Sequence, residues 1–243
     1  MTWPGIYANT ASEHFYHITG ATVPRVSRGS ESGQILFNKE HHRESLLMMV
    51  YYNYYGPDYY YPLQAQGGPG QGDKETFSAG AVTVNAPGPF YGVKTSARIL
   101  GNHVNGNFVF AGFAQADPVQ DLEYDTPLAQ HLLPSGRWQE HDSIGAQNAE
   151  NAEPRSFFVH SVSTEAKIHP WKLFREGGLA WSPNKKWQRI WGQEKMMIEQ
   201  FGYDVEKRLW DCIGEEVCRT DEALCAQVRE YSSKVFGVAL DST

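Results

Sequence analysis

The chain has 243 residues, enough for one large domain or two small ones, and its 13% aromatic and 20% charged content excludes disorder. A net charge of -7 with no strongly basic block argues against free nucleic acid and anionic membranes as partners. No apolar run reaches the length of a membrane span, and Met1-Thr2-Trp3-Pro4-Gly5-Ile6-Tyr7 lacks a basic segment leading into an apolar core, so no secretory signal is visible.

The chain reads as one domain, 1–243, in three unlike parts. Residues 1–33 form a polar, aromatic-dotted arm. Ser12 is placed to cap a short helix over Glu13–Ile18 that Gly20 stops. Too few apolar positions occur there to bury the arm against itself. Trp3, Ile6, Tyr7, Phe15 and Tyr16 are therefore expected to dock on a neighbouring molecule, as an intermolecular strap.

Residues 34–165 read as short strands and loops. Ile35-Leu36-Phe37 is a short apolar run. Ser45-Leu46-Leu47-Met48-Met49-Val50-Tyr51-Tyr52 has the length of a strand buried on both faces. Seven phenols then fall within eleven residues: Tyr51, Tyr52, Tyr54, Tyr55, Tyr59, Tyr60 and Tyr61, broken by the turn Gly56-Pro57-Asp58. Tyrosine couples a large apolar ring to a hydroxyl, which suits a sticky, hydrogen-bonded surface. Such a surface is neutral until alkali ionises it. The run is weighed toward self-association over plain core packing. Residues 64–73 read as a glycine-rich loop. Phe77–Val84 alternates like a strand. Ile99-Leu100 and Phe108-Val109-Phe110 flank a hairpin turned at Asn105-Gly106. The polar stretch 117–154 reads as a surface excursion, and Phe157–Val162 as a further strand. Strands at this spacing predict an α+β, mainly β protein with an antiparallel β-sandwich core.

Residues 166–243 are helical. Trp187, Ile190, Trp191, Glu194, Met197, Ile198 and Phe201 recur at helical steps, and Gly202 ends that helix. Asp204 is expected to cap a second helix with Val205, Leu209, Cys212 and Ile213 inward, and Thr220 or Asp221 a third with Leu224, Val228 and Tyr231 inward. Val235–Leu240 reads as a closing strand. The three cysteines, Cys212, Cys218 and Cys225, are odd in number and poorly spaced for zinc. They read as buried thiols of a reducing compartment.

Sites of chemistry are sparse. Gly67-Gly68-Pro69-Gly70-Gln71-Gly72 has the order of neither nucleotide fingerprint. His41-His42 and Glu13/His14/His17 lack metal-ligand spacing. No Gly-x-Ser-x-Gly elbow occurs, and Cys218 has no base beside it. Lys185, Lys186 and Arg189 around Trp187 form the one basic, aromatic cluster, able to hold a phosphate or to lie on a solvated helix start.

Arg28-Gly29-Ser30-Glu31, Leu36-Phe37-Asn38-Lys39-Glu40, the tyrosine run, His169-Pro170-Trp171 and Phe236-Gly237-Val238-Ala239-Leu240 occur in an order that resembles cypovirus polyhedrins. The islands cover about a fifth of the chain. The resemblance implies a non-enzymatic matrix protein with a β-sandwich, an N-terminal arm helix and further helices. It implies homotrimers packed into crystals that embed virus particles in the cytoplasm of an infected insect cell and dissolve in alkali. It requires no cofactor. A bound nucleotide (ATP, GTP or CTP) as a lattice component would fall to Lys185, Lys186 and Arg189. Two other classes stand beside it: a nucleotide-using toxin or transferase, and a carbohydrate-binding β-sandwich using Trp138, Trp171 or Trp181.

Overall fold

A computed structural model of the chain describes residues 1–8, 13–22, 28–65, 72–84, 90–104, 107–129, 153–161, 170–174, 178–180, 182 and 184–237. They fall into two compact units, residues 1–97 with 116–154, and residues 98–115 with 155–243.

The first unit opens with strand β1 (Trp3–Ala8), helix α1 (Glu13–Thr19) and strand β2 (Arg28–Glu31). β1 and β2 pair antiparallel, with Trp3 opposite Glu31 and Pro4 opposite Ser30. The arm docks within its own unit. Trp3 is buried and donates its indole N–H to Ala116 O at 2.8 Å. Phe15 and Tyr16 are buried with Tyr52 and Ala79. Ile6 and Tyr7 lie in β1. The intermolecular strap is thus corrected for Trp3, Phe15 and Tyr16. Their partners are supplied by residues distant in sequence, which a search among near neighbours does not find. Gly20 has φ +69° just after α1, as its stop role requires.

The expected strand over 45–52 is a helix, α2 (Arg43–Tyr54), followed by a π-helical turn (Gly56–Tyr60) and α3 (Tyr61–Ala65). Leucine, methionine and glutamate are good helix formers. Ser45, Met49 and Tyr52 are the buried positions, at steps of four and three. Leu46, Leu47, Val50, Tyr51 and Tyr54 are exposed and Met48 is partly buried, so an all-round apolar run hides the buried stripe. The expected strand Phe77–Val84 is also helical, in α4 (Lys74–Thr83). Glu75, Thr76, Ser78, Ala79, Gly80 and Ala81 are buried there. α4 packs on α2 at Gly80, where an added Cβ would come within 2.7 Å of Met49 Cγ. Helix α5 (Pro118–Ala129) is the last helix of this unit among the described residues, with Asp117 Oδ1 accepting from Val119 N at 2.8 Å as its cap.

The second unit holds the predicted hairpin. Strand β3 (Arg98–Val104) pairs antiparallel with β4 (Asn107–Ala116), with a register shift at Leu100/Gly101. Strand β5 (Ser156–His160) lies beside β4. Helices α6 (Pro170–Phe174), α7 (Glu194–Phe201), α8 (Val205–Thr220) and α9 (Glu222–Phe236) follow. Their core centres on Phe174, Trp210 and Tyr231, with ring centroids 5.1–5.4 Å apart. The read caps hold. Gly202 is left-handed at φ +82°, Asp204 accepts from Lys207 N, and Asp221 accepts from Leu224 N. Leu224, Val228 and Tyr231 are buried as expected.

Three local expectations fail. The helix does not begin at Trp187 but at Glu194, because the N–H groups of Ile190 and Trp191 are bound by the Glu206 carboxylate at 2.7 and 3.0 Å. They are therefore not bonded to carbonyls four residues back. Val235 and Phe236 end α9 instead of opening a strand; residues 238–240 lie outside the described residues. Cys212 is exposed, and Cys218 is bonded to Cys225 across the α8–α9 junction. The pair joins the end of one helix to the start of the next, and such bonds persist in oxidising, not reducing, surroundings. Replacing Cys218 with serine is expected to lower stability by about 2 kcal/mol, the chain entropy that so short a loop removes. A urea midpoint that falls equally when dithiothreitol is added to the unchanged protein would show it.

Candidate functional site

A small cleft in the first unit, with room for about one water molecule, is lined by three separate segments. Thr2 joins Trp3 and Pro4 at the start of β1, β2 supplies Arg28 and Ser30, and the segment after residue 90 supplies Gly92, Val93 and Lys94. The segments are tied by backbone bonds. Thr2 N donates to Tyr91 O at 3.1 Å, and Val93 N donates to Thr2 O at 3.0 Å. Arg28, Lys94, Thr2 and Ser30 are thus brought around one small opening, with Trp3 beside them.

Two buried carboxylates hold its walls. Asp121, on α5, accepts from Tyr91 Oη at 2.6 Å, Lys94 N at 2.9 Å and Thr95 N at 2.7 Å. Its side chain is fully enclosed. Glu75, on α4, accepts from Ser30 N at 3.0 Å through Oε1. Its Oε2 makes no hydrogen bond among the described residues. Burial pushes this carboxyl up to about 7, with the Ser30 N–H and the Lys74 ammonium opposing the rise. Lys74 also lies 3.9 Å from Glu31, which is buried in β2. Burial, then the Glu75 charge, raises the Tyr16 phenol well above its ordinary range. A buried carboxyl that titrates near neutrality directly behind a cleft wall marks the place as a candidate site.

The phenols expected to act together have divided roles. Tyr52 is buried and hydrogen-bonds Thr83 Oγ1 at 2.8 Å. Tyr61 donates to Asn53 Oδ1 at 2.6 Å. Tyr60 packs on Tyr52 at 4.7 Å, and burial followed by the neighbouring Tyr51 pushes it up to about 12. Tyr51, Tyr54, Tyr55 and Tyr59 remain exposed. In the second unit, Lys185 and Lys186 are exposed, with Lys185 at φ +55°. The Arg189 guanidinium instead pairs with Asp204, approaches Glu206 at 4.0 Å and stacks 4.8 Å over the Phe236 ring. The glycine run 67–71, Trp138 and Trp181 lie outside the described residues. Among the described residues, no helix is long and apolar enough to cross a membrane, and no three His, Cys, Asp or Glu side chains cluster to hold a metal ion.

Glu75, Lys94 and Asp121 were not selected from the sequence. A hint lies in Asp73-Lys74-Glu75, where charge directly precedes the small and apolar run Thr76–Ala81. With Phe77–Val84 read as a strand, Glu75 fell just outside the element and its burial went unseen.

A family model described as "Mannosyltransferase putative" matches residues 6–117. Among similar proteins, alpha-1,2-mannosyltransferase MNN21 of Candida albicans is 36% identical over 196 residues, covering 79% of this chain and 29% of its own. MNN24 of the same organism is 34% identical, covering 83% of this chain and 31% of its own. Alpha-1,2-mannosyltransferase MNN5 of Saccharomyces cerevisiae is 27% identical over 242 residues, covering 92% of this chain and 39% of its own. The chain therefore spans about a third of the length of these relatives. No solved structure matches it significantly.

These similarities overturn the polyhedrin resemblance and what it implied. The non-enzymatic matrix protein, the trimer lattice around virus particles and the place in viral occlusion bodies all fall with it, because the relatives are fungal enzymes. Apart from the tyrosine run, the islands that carried the resemblance are three to five residues long. Short matches of common residues recur by chance, whereas the new similarity runs through most of the chain.

Proposed function

We propose that this chain forms part of a glycosyltransferase that moves a mannosyl group from an activated donor onto a sugar hydroxyl, making an α-1,2 bond. The observation that carries the reading is similarity over 79–92% of the chain to proteins bearing that description. The cleft supports it chemically. An activated sugar departs with an anionic group, and cationic side chains with hydroxyls and backbone donors stabilise such a charge as it develops. Arg28 and Lys94, both partly exposed, would face that group. Glu75 and Asp121 are positioning residues: each is buried, and each fixes a wall of the cleft through backbone N–H groups.

Given nucleotide-activated mannose and an α-mannoside acceptor, the protein is expected to yield a product one hexose heavier. An α-1,2-specific mannosidase should cleave the new bond. Arg28→Ala combined with Lys94→Ala should raise the donor KM by about tenfold or more, the scale of losing charge-assisted contacts. No transfer to any mannoside by the folded protein would sink the reading.

A further inference from the structure

We propose that the exposed phenol face of α2 and the π-helical turn is the platform that holds the acceptor glycan, a neutral oligomannoside. The inference rests on the mannosyl-transfer reading. It deepens that reading by giving the acceptor a place in the fold.

Tyr54 is 77% exposed and Tyr59 65%, with Tyr51 and Tyr55 also exposed. Exposed aromatics in such density on one short segment are unusual for a surface with no partner. The rings brace each other. Tyr54 and Tyr55 meet at 4.8 Å and 83°, and Tyr51 and Tyr55 at 5.0 Å and 62°. Edge contacts of this kind hold rings in place before a ligand arrives, which lowers the ordering cost of binding. The π-helical turn is a second observation. It lies between α2 and α3 and begins at Gly56-Pro57, and such turns occur frequently at functional sites. Across it, Tyr52 and Tyr60 are drawn together against Phe15, while Tyr59 stays out.

Charge selects the occupant. Between Glu44 and Asp73, Asp58 is the single charged residue. A phosphate group or an anionic membrane would find no cation on this stretch. A pyranose is neutral, with an apolar C–H face and hydroxyls at its rim. A tyrosine ring meets the face, and its own hydroxyl meets the rim.

The test uses α-linked mannotetraose as probe with Tyr54→Ala/Tyr59→Ala, both at positions whose side chains stand mostly in solvent. The double variant is expected to lose about tenfold in kcat/KM for the acceptor while the donor KM stays the same. Saturation transfer from aromatic protons to sugar C–H groups should fall with it. Tyr54→Phe/Tyr59→Phe, which keeps the rings, should lose less than the alanine pair. Unchanged acceptor kinetics in the alanine pair, or sugar contacts mapped away from these rings, would overturn the platform. So would loss of self-association or of vesicle binding with sugar affinity intact. The two readings fail separately. Sugar binding through the tyrosines without any transfer defeats the enzyme and leaves the platform, whereas normal transfer in the alanine pair defeats the platform alone.

Discussion

Replacing Glu206 with alanine is expected to cost about 3–5 kcal/mol of stability, the range for removing one partner of a buried, hydrogen-bonded charge. The carboxylate has no exposed surface to speak of, at 1%. It accepts from Ile190 N at 2.7 Å, Trp191 N at 3.0 Å and Tyr231 Oη at 2.8 Å, with Arg189 Nε 4.0 Å away. Burial raises the carboxyl, and the two amides, Arg189 and Tyr231 pull it back. Alanine would leave two enclosed N–H groups and a phenol without their acceptor, while Arg189 would keep Asp204 and Gly192 O. Glu206→Gln keeps one acceptor oxygen and should cost less. Chemical unfolding monitored by tryptophan fluorescence reads the effect directly, since Trp191 and Trp210 are both buried in this unit. A Glu206→Ala protein with an unshifted midpoint would show that these three donors do not depend on it.

Stability should also fall as the solution passes from acid to neutral, through Glu75. Its carboxyl stands at about 7 in the folded protein against an ordinary 4.5. Below 4.5 both folded and unfolded chains hold the proton, and the contribution is fully present. Between these values the unfolded chain releases its proton while the folded one keeps it. The contribution is then lost, and above about 7 it is gone. The interval corresponds to about 3 kcal/mol. Glu75→Gln keeps an acceptor for Ser30 N but cannot titrate. The stability difference between the two proteins should therefore slope over this window and flatten above it. Parallel curves would mean that the carboxyl ionises in place without penalty.

The parts of the fold that could be read from sequence are those set by local chemistry. The ends of α7, α8 and α9 follow from one glycine and two aspartates acting within a few residues. The β3–β4 hairpin follows from apolar runs about a turn. α2 was misread because Leu46, Leu47 and Val50 are apolar yet exposed, so no alternation or stripe showed in the letters. The start of α7 was misplaced by a carboxylate at least fifteen residues away in sequence. The candidate site was illegible for a related reason. Glu75 acts on Ser30 across 45 positions, and Asp121 on Lys94 across 27. In a string of letters, each looks like an ordinary surface acid. Only the packing that buries them gives them a role.

Asp121 has one more consequence. A single side chain on α5 grips a phenol and two successive amides of the segment carrying Lys94. Helix and segment are thereby coupled like a lever and its load. Any force that tilts the start of α5 would move the lysine with it, so a contact made far from the opening can change its width.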